Sequence, residues 1–326
     1  MSRLPLIGRL RRVFRAREWT LVLAVIAVVV VIYAFGRGQQ FGSENNRTQL
    51  LRQIALLGTF AVGEAVVIIA GGIDLSVGSV IAMGAMLSAL AINRVAGGQP
   101  DAGLSGVLVA LVAGALLGLL TGLFHALLIT RLRLPPFIAT LSTLAGLRSV
   151  SQLITDSRPV PVVFDSFKWL ADGVHPLYFF VAAAVAVGLL LGCTRAGRGL
   201  RALGGNEDAA RLSGLNTARL KALAYCVCGM LAGVAGVLYA SRSGQGDCRL
   251  GAGYELRAIA ACVVGGCSLT GGTGSLSGVV LGVVLMETVL NGIGLVISHN
   301  ATMWEGVVTG VVVVLAVTLN SLRRES

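Results

Sequence analysis

Charge is what this sequence of 326 residues has least of: only 13% of it is Asp, Glu, Lys or Arg. A soluble domain averages about a quarter, so an ordinary water-soluble fold is excluded. Lysine is almost missing. Lys168 and Lys221 are the only two, and neither follows a glycine. A phosphate-cradling G-x-x-x-x-G-K-[ST] loop is therefore absent, and the chain carries no Walker A site of its own. Histidine is as scarce. His125, His175 and His299 stand isolated, with no H-E-x-x-H, and read as structural residues rather than metal ligands. Cys193, Cys226, Cys228, Cys248, Cys262 and Cys267 lie mostly in apolar surroundings and behave as small hydrophobes. Cys226 and Cys228 are too close for C-x-x-C chemistry, so neither a disulfide framework nor a metal site is expected. No Ser/His/Asp or dinucleotide signature is present, so no catalytic residues are assigned and the chain reads as a non-enzyme. Seven prolines are too few for a low-complexity chain.

What remains is apolar: 55% hydrophobic residues with a mean hydropathy of +0.84. Glycine, at 44 residues, is about twice its usual share. In a membrane that excess reads as close helix packing and interrupted helices. The net charge of +11 first suggests nucleic acid. The arginines, however, cluster just outside apolar spans, where the positive-inside rule places them, so the partner is the lipid membrane and not nucleic acid.

The apolar runs fall at 19–35, 50–70, 75–92, 104–129, 137–153, 177–193, 222–240, 254–269, 276–296 and 303–319. They predict an all-α polytopic membrane protein of about ten transmembrane helices. Ten crossings place the basic segments 1–18, 131–133, 194–221 and 323–324 on one side, with both termini cytoplasmic. The polar loops 36–49, 93–103, 156–176 and 241–253 then fall outside. The expected division is a basic cytoplasmic N-terminus (1–18), a transmembrane domain (19–320) with a cytoplasmic loop at about 194–221, and a cytoplasmic tail (321–326). A short surface segment is expected near 164–170. The glycine-rich stretch 244–253 is either a gate or a flexible loop.

One stretch breaks the apolar pattern sharply: Gly71-Gly72-Ile73-Asp74-Leu75-Ser76-Val77-Gly78-Ser79. Each glycine weakens a helix by about 1 kcal/mol, and a carboxylate at membrane depth costs a few kcal/mol unless partnered. Both at one point mark a functional element. Asp74 and Ser76 either contact a passing substrate or brace the break through helix-end hydrogen bonds; bracing is favoured, because buried polar groups need standing partners. A late echo, Val264-Gly265-Gly266-Cys267-Ser268-Leu269-Thr270-Gly271-Gly272, is either a corresponding break in a second half or chance in a glycine-rich chain. Glu64, His125, Glu287 and Asn291 are further candidates for the bundle interior.

Within the cytoplasmic loop, Gly204-Gly205 precedes Asn206, a good N-cap. Glu207 and Asp208 suit the positive end of a helix, Ala209, Ala210, Leu212 and Leu215 give it an apolar face, and Gly214 ends it. This is either a docking knob for a cytoplasmic partner or an ordinary solvated loop.

Taken in order, these motifs resemble the ribose-type ABC transporter permeases. The resemblance is carried by Gly71 to Ser79, by Leu134-Pro135-Pro136-Phe137-Ile138-Ala139-Thr140-Leu141, by Gly204 to Gly214, by Tyr254-Glu255-Leu256 with Ala258 to Ala261, and by Val264 to Ser275. It covers most of 50–320. It implies the inner-membrane subunit of a bacterial importer for pentoses or hexoses, with broken helices near the pore. A second permease subunit, a cytoplasmic ABC ATPase and a periplasmic sugar-binding protein are the implied partners. No cofactor is expected in this chain; ATP and Mg belong to the ATPase. The path or its bracing would involve Gly71, Gly72, Asp74, Ser76, Gly265 and Gly266. Gly204, Gly205, Asn206, Glu207, Ala209, Ala210 and Gly214 would couple to the ATPase. Arg257 and Glu64 depart from the family pattern, which usually has an acidic and an apolar residue there. The alternative class is an ion-coupled secondary transporter or channel working without an ATPase.

Overall fold

The computed structural model describes residues 16–297, 303–312, 314 and 318. The N-terminal arginines up to Arg15, His299 and the tail 321–326 lie outside the described residues. The described chain is almost entirely helical. Its long helices are α1 (Ala16–Ala34), α3 (Glu44–Ile69), α4 (Val77–Ala96), α5 (Gly103–Thr130), α6 (Pro136–Ile154), α8 (Pro176–Cys193), α11 (Thr217–Ser243) and α13 (Leu276–Val296). The shorter ones are α2 (Gly38–Phe41), α7 (Asp165–Lys168), α9 (Arg195–Gly205), α10 (Glu207–Leu212), α12 (Tyr254–Val264) and a last helix, α14, over Met303–Val312.

Seven of these are long and apolar enough to cross a membrane: α3, α4, α5, α6, α8, α11 and α13. The apolar part of α1, Glu18–Ala34, and helix α14 are shorter. The expected span at 254–269 is a helix of 11 residues, α12. At 1.5 Å per residue it reaches roughly half the ~30 Å hydrocarbon core. It stops because Gly266 takes φ +105°, a conformation that side-chain-bearing residues rarely adopt.

Helix α3 is the centre. Every residue from Ile54 to Ile69 is buried, against α8, α11, α12 and α13. A helix apolar on all sides belongs inside a bundle. Helices α4, α5 and α11 pack as a close trio, and glycines set the spacing. Gly114, Gly118 and Gly122 repeat every four residues on α5 and face Gly233, Gly229 and the Tyr225–Cys226 backbone of α11. A Cβ at Gly118 would overlap the Gly229 carbonyl. Small residues at this spacing let helix backbones touch, the main source of packing energy where lipid removes the hydrophobic incentive. Helices α5, α6 and α8 turn many large apolar side chains outward, among them Leu104, Val112, Leu153 and Tyr178.

Two segments differ from the sequence reading. The stretch near 164–170 is helical (α7, then a 3-10 turn at Trp169–Ala171), but Phe164, Phe167 and Leu170 are buried and Ser241 Oγ donates to the Phe167 carbonyl at 2.7 Å. Its apolar residues anchor it in the bundle. The 244–253 stretch is not a free loop either. Residues Gln245–Gly246 (β2) pair antiparallel with Val160–Pro161 (β1), and Cys248 is buried. A Cβ at Gly246 would lie 2.6 Å from the Ala85 carbonyl oxygen. Gly251, at φ +73°, is pressed against Gly78. The chain enters the bundle along α4 before α12 begins.

Candidate functional site

Helix α3 ends at Ile69, and the next helical residue is Val77. Between them Gly71 takes φ +84°. Asp74 turns back on the start of α4. Its Oδ1 accepts from Ser76 N–H at 2.9 Å and from Ser76 Oγ at 2.6 Å. An Asx turn of this kind gives the backbone a local partner where the helix is missing. The carboxylate is 1% exposed, and its other oxygen, Oδ2, lies 3.6 Å from His125 Nδ1 on α5. Asp74 N–H donates to Glu64 Oε1 at 3.2 Å, and Cys228 Sγ donates to Glu64 Oε2 at 3.5 Å. Thr140 on α6 donates to the Ile73 carbonyl at 3.3 Å. Tyr225 of α11 packs edge-on to the His125 ring, centroids 5.6 Å apart, and its hydroxyl approaches Gly72. The Asp74 carboxylate and N–H and the Ile73 carbonyl therefore each meet a group from another helix, which lowers the cost of burying them.

The late echo occupies the neighbouring space. Gly265 caps α12 and lies against Gly278 and Val279 of α13, so a Cβ there would come 2.5 Å from the Gly278 carbonyl oxygen. Gly266 carries the positive φ noted above. Gly271 (φ +85°) and Gly272 (φ +76°) complete the turn. Gly272 N–H donates to the Ile69 carbonyl at 2.9 Å, joining the second break directly to the first.

Both breaks rest on the end of α9. A Cβ on Gly204 would overlap the Ile69 carbonyl and lie 2.5 Å from Gly272 N. A Cβ on Gly271 would lie 2.7 Å from Gly71 Cα and from Gly204 O. Gly205 is open on its own side, with nothing near its missing Cβ. Asn206 then caps α10, its Oδ1 accepting from Ala209 N–H at 2.9 Å. Glu207 pairs with Lys221 of α11 at 2.7 Å. Ala210 is buried and Gly214, at φ +82°, ends the turn after α10. The loop expected over 194–221 is thus two helices, and α11 already begins at Thr217. Beside α10 lies a groove of about 620 Å³ lined by Arg133, Pro135, Glu207, Arg211 and Lys221.

Sequence reasoning named both glycine pairs and the capped helix but not their mutual contact. It missed Tyr225, which carries no motif; it held Thr140 only as part of the Leu134–Leu141 motif, and it named His125 as an interior candidate without joining it to Asp74. The signal for His125 was its place in an otherwise apolar helix, the same signal that exposed Asp74. Glu64 and Glu287 are buried as expected of interior candidates, and Asn291 is half-buried.

The family model described as "Branched-chain amino acid transport system / permease component" matches residues 46–317. The chain belongs to this permease family. Among individual relatives of the permease, the ribose import permease protein RbsC of Escherichia coli strain K12 is 34% identical over 312 residues, covering 93% of each chain. RbsC of Bacillus subtilis strain 168 is 36% identical over 282 residues, 84% of each chain. The galactose/methyl galactoside import permease protein MglC of Haemophilus influenzae is 34% identical over 296 residues, 85% of this chain and 87% of the relative. The resemblance to ribose-type permeases read from the motifs is borne out along nearly the whole permease. No solved structure matches it.

Proposed function

We infer that this chain is the membrane subunit of a bacterial ABC importer and forms the path for a sugar. Full-length identity to permeases named for ribose and galactose supports the sugar over the branched-chain amino acids of the family description. The substrate is a pentose or hexose delivered by a periplasmic binding protein. ATP and Mg act on a separate cytoplasmic ATPase pair, and a second permease subunit completes the pore in the inner membrane.

In this reading the chain crosses the membrane ten times with both termini in the cytoplasm. The divisions are a basic N-terminus (1–18), a permease domain (19–320) and a tail (321–326). The sequence 244–264 makes one crossing from a packed extended segment followed by half-length α12. Helices α9 and α10 form the coupling element: Gly204 and Gly205 end α9, Asn206 caps α10, Glu207, Ala209 and Ala210 lie in it, and Gly214 follows it. Leu212 at the tip of α10 is the most exposed large apolar side chain among the described residues, as a docking knob requires.

The observation that carries the mechanism is the seating of Gly204 on both breaks at once. A push on α10 moves α9, and the Gly204 backbone cannot shift without moving Ile69 and Gly272. The breaks at 70–76 and 265–275 end the two helices that would open or close the path. Gly71, Gly72, Gly265 and Gly266 supply the close approach. Asp74 and Ser76 brace the first break rather than holding sugar.

The test is reconstitution in liposomes with an ABC ATPase and a periplasmic sugar-binding protein of the ribose-importer type. Labelled D-ribose or D-galactose should accumulate only with ATP and all components present. Transport by the purified chain alone would support the stand-alone transporter or channel. Accumulation of leucine in place of either sugar would overturn the substrate class.

A further inference from the structure

At the end of the bundle farthest from Gly204, the half-length α12 leaves a cavity of about 580 Å³. Asn46 at the start of α3 lines it, and Ile69 at the other end of the same helix contacts Gly204, so the two sites are roughly 35 Å apart at 1.5 Å per residue. The volume is that of a small-molecule pocket.

Much of the lining is polar, and α3 and α13 face each other across it. Asn46, Gln49 and Gln53 repeat along one face of α3, while Glu287 and Asn291 stand one turn apart on α13. Asn46 and Asn291 exchange two amide hydrogen bonds across the cavity, at 3.2 and 2.9 Å, and fix its width. Tyr239 and Tyr254, ring centroids 5.0 Å apart, form an aromatic wall. Arg257 lies over the Tyr254 ring at 5.3 Å and pairs with Glu305 of α14.

Glu287 shares the cavity with two cations, Arg242 and Arg257, and is joined to neither. It is 5% exposed and lines the cavity, yet its carboxylate makes no hydrogen bond or ion pair among the described residues. A buried carboxylate without a donor is expensive, so a site that keeps one is built to receive donors from elsewhere. Nearby amides offer both donors and acceptors. This chemistry fits a compact molecule with several hydroxyls and apolar ring faces. A metal ion fits poorly, since the other carboxylate present, Glu305, is already held by Arg257.

We propose that this cavity is a transient binding site for a neutral monosaccharide, with Glu287 accepting hydrogen bonds from its hydroxyls and Tyr239 or Tyr254 facing its ring. The assignment rests on the sugar-importer reading and locates the substrate in this chain, away from Asp74. It also gives Arg257, a departure from the family pattern, a role: its pairing with Glu305 leaves Glu287 free for the sugar.

The test uses the complete transporter in cells, with labelled D-ribose and D-galactose as probes. Glu287→Gln keeps the shape and removes the charged acceptor. It should raise the KM for uptake at least tenfold while the variant remains assembled with its ATPase. Gln49→Cys adds a second readout. Its labelling by a membrane-impermeant maleimide, above the background of the natural cysteines, should slow in millimolar transported sugar and stop slowing when Glu287→Gln is added. Normal uptake by Glu287→Gln, or labelling that sugar never slows, overturns the cavity assignment and leaves the importer reading standing. Failure of the wild-type transporter to take up either sugar overturns the sugar reading and this site with it.

Discussion

The N–H of Gly272 donates to the carbonyl of Ile69 across 2.9 Å, so two interruptions far apart in sequence share one hydrogen bond. Ile69 ends α3, and its carbonyl is one of those a helix terminus leaves without an internal partner. The second break supplies that partner. Gly204 sits over the same bond so closely that its own hydrogen is the only substituent that fits. Three glycine-rich stretches thus meet at one point, and a movement at any of them is felt by the other two.

The first prediction concerns Gly72 and Tyr225. A Cβ on Gly72 would overlap the Tyr225 hydroxyl, while the next atoms, Val67 Cγ1 and Tyr225 Cζ, stand 3.1 and 3.2 Å away. Gly72→Ala should therefore destabilise the protein by about 1–3 kcal/mol, the usual range for overpacking. Tyr225→Phe removes the obstructing atom, and that hydroxyl is buried without a hydrogen-bond partner among the described residues. The single Tyr225→Phe variant should be neutral or slightly stabilising. The double variant should recover most of the loss, a coupling readable as non-additive melting temperatures in detergent. Strict additivity would place the Tyr225 hydroxyl elsewhere.

The second concerns the brace. Asp74→Asn preserves shape and still accepts from Ser76 through its amide oxygen, but it leaves His125 without its carboxylate. Losing the polar partner of a buried group costs about 1–3 kcal/mol. The melting temperature of Asp74→Asn should fall below that of Ser76→Ala, which loses one side-chain hydrogen bond and keeps the carboxylate beside His125. Asp74→Asn combined with His125→Asn should be less damaged than the sum of the single variants. Equal melting of wild type and Asp74→Asn would show that the pair carries no stability.

The third is a pH effect away from the membrane. Asp101 accepts from Ser166 N–H at 3.3 Å and from Ser166 Oγ at 2.7 Å, tying the segment before α5 to α7. The Ser166 hydroxyl, with backbone N–H groups, holds the Asp101 carboxyl below its ordinary value. A carboxyl lowered on folding contributes stability above its unfolded pKa and loses it as pH falls through the folded one. Amide exchange around Ser166 should stay slow from neutral pH down to the ordinary aspartate range and quicken only below it. In Asp101→Asn it should be faster than wild type at neutral pH and show no acid step.

Much of this was legible in the sequence because the costs are local. Asp74 in an apolar run, paired glycines and the Asn206 cap each violate or satisfy a rule within a few residues. The contact of Gly204 with Ile69 and Gly272 was not legible, because nothing local says which of many glycines must touch. The cavity beside Glu287 was hidden for a related reason. Its cause is that α12 is only 11 residues long, although 254–269 has the composition of an ordinary span. The packing of 244–253 through Gly246, Cys248 and Gly251 was missed because its polar, glycine-rich residues also describe a loop. Gly246 and Gly251 are there for close packing against α4.

The central claim is that Gly204 transmits movement from the coupling helices to both breaks. Its most direct test is ATP-driven sugar accumulation by the reconstituted transporter carrying Gly204→Ala, measured beside Gly205→Ala and wild type. A methyl at Gly204 must push apart Ile69 and Gly272, whereas a methyl at Gly205 meets open space. Gly204→Ala should keep hydrolysing ATP but lose at least tenfold in accumulation per ATP, and Gly205→Ala should match wild type. Wild-type accumulation per ATP by Gly204→Ala would contradict the account.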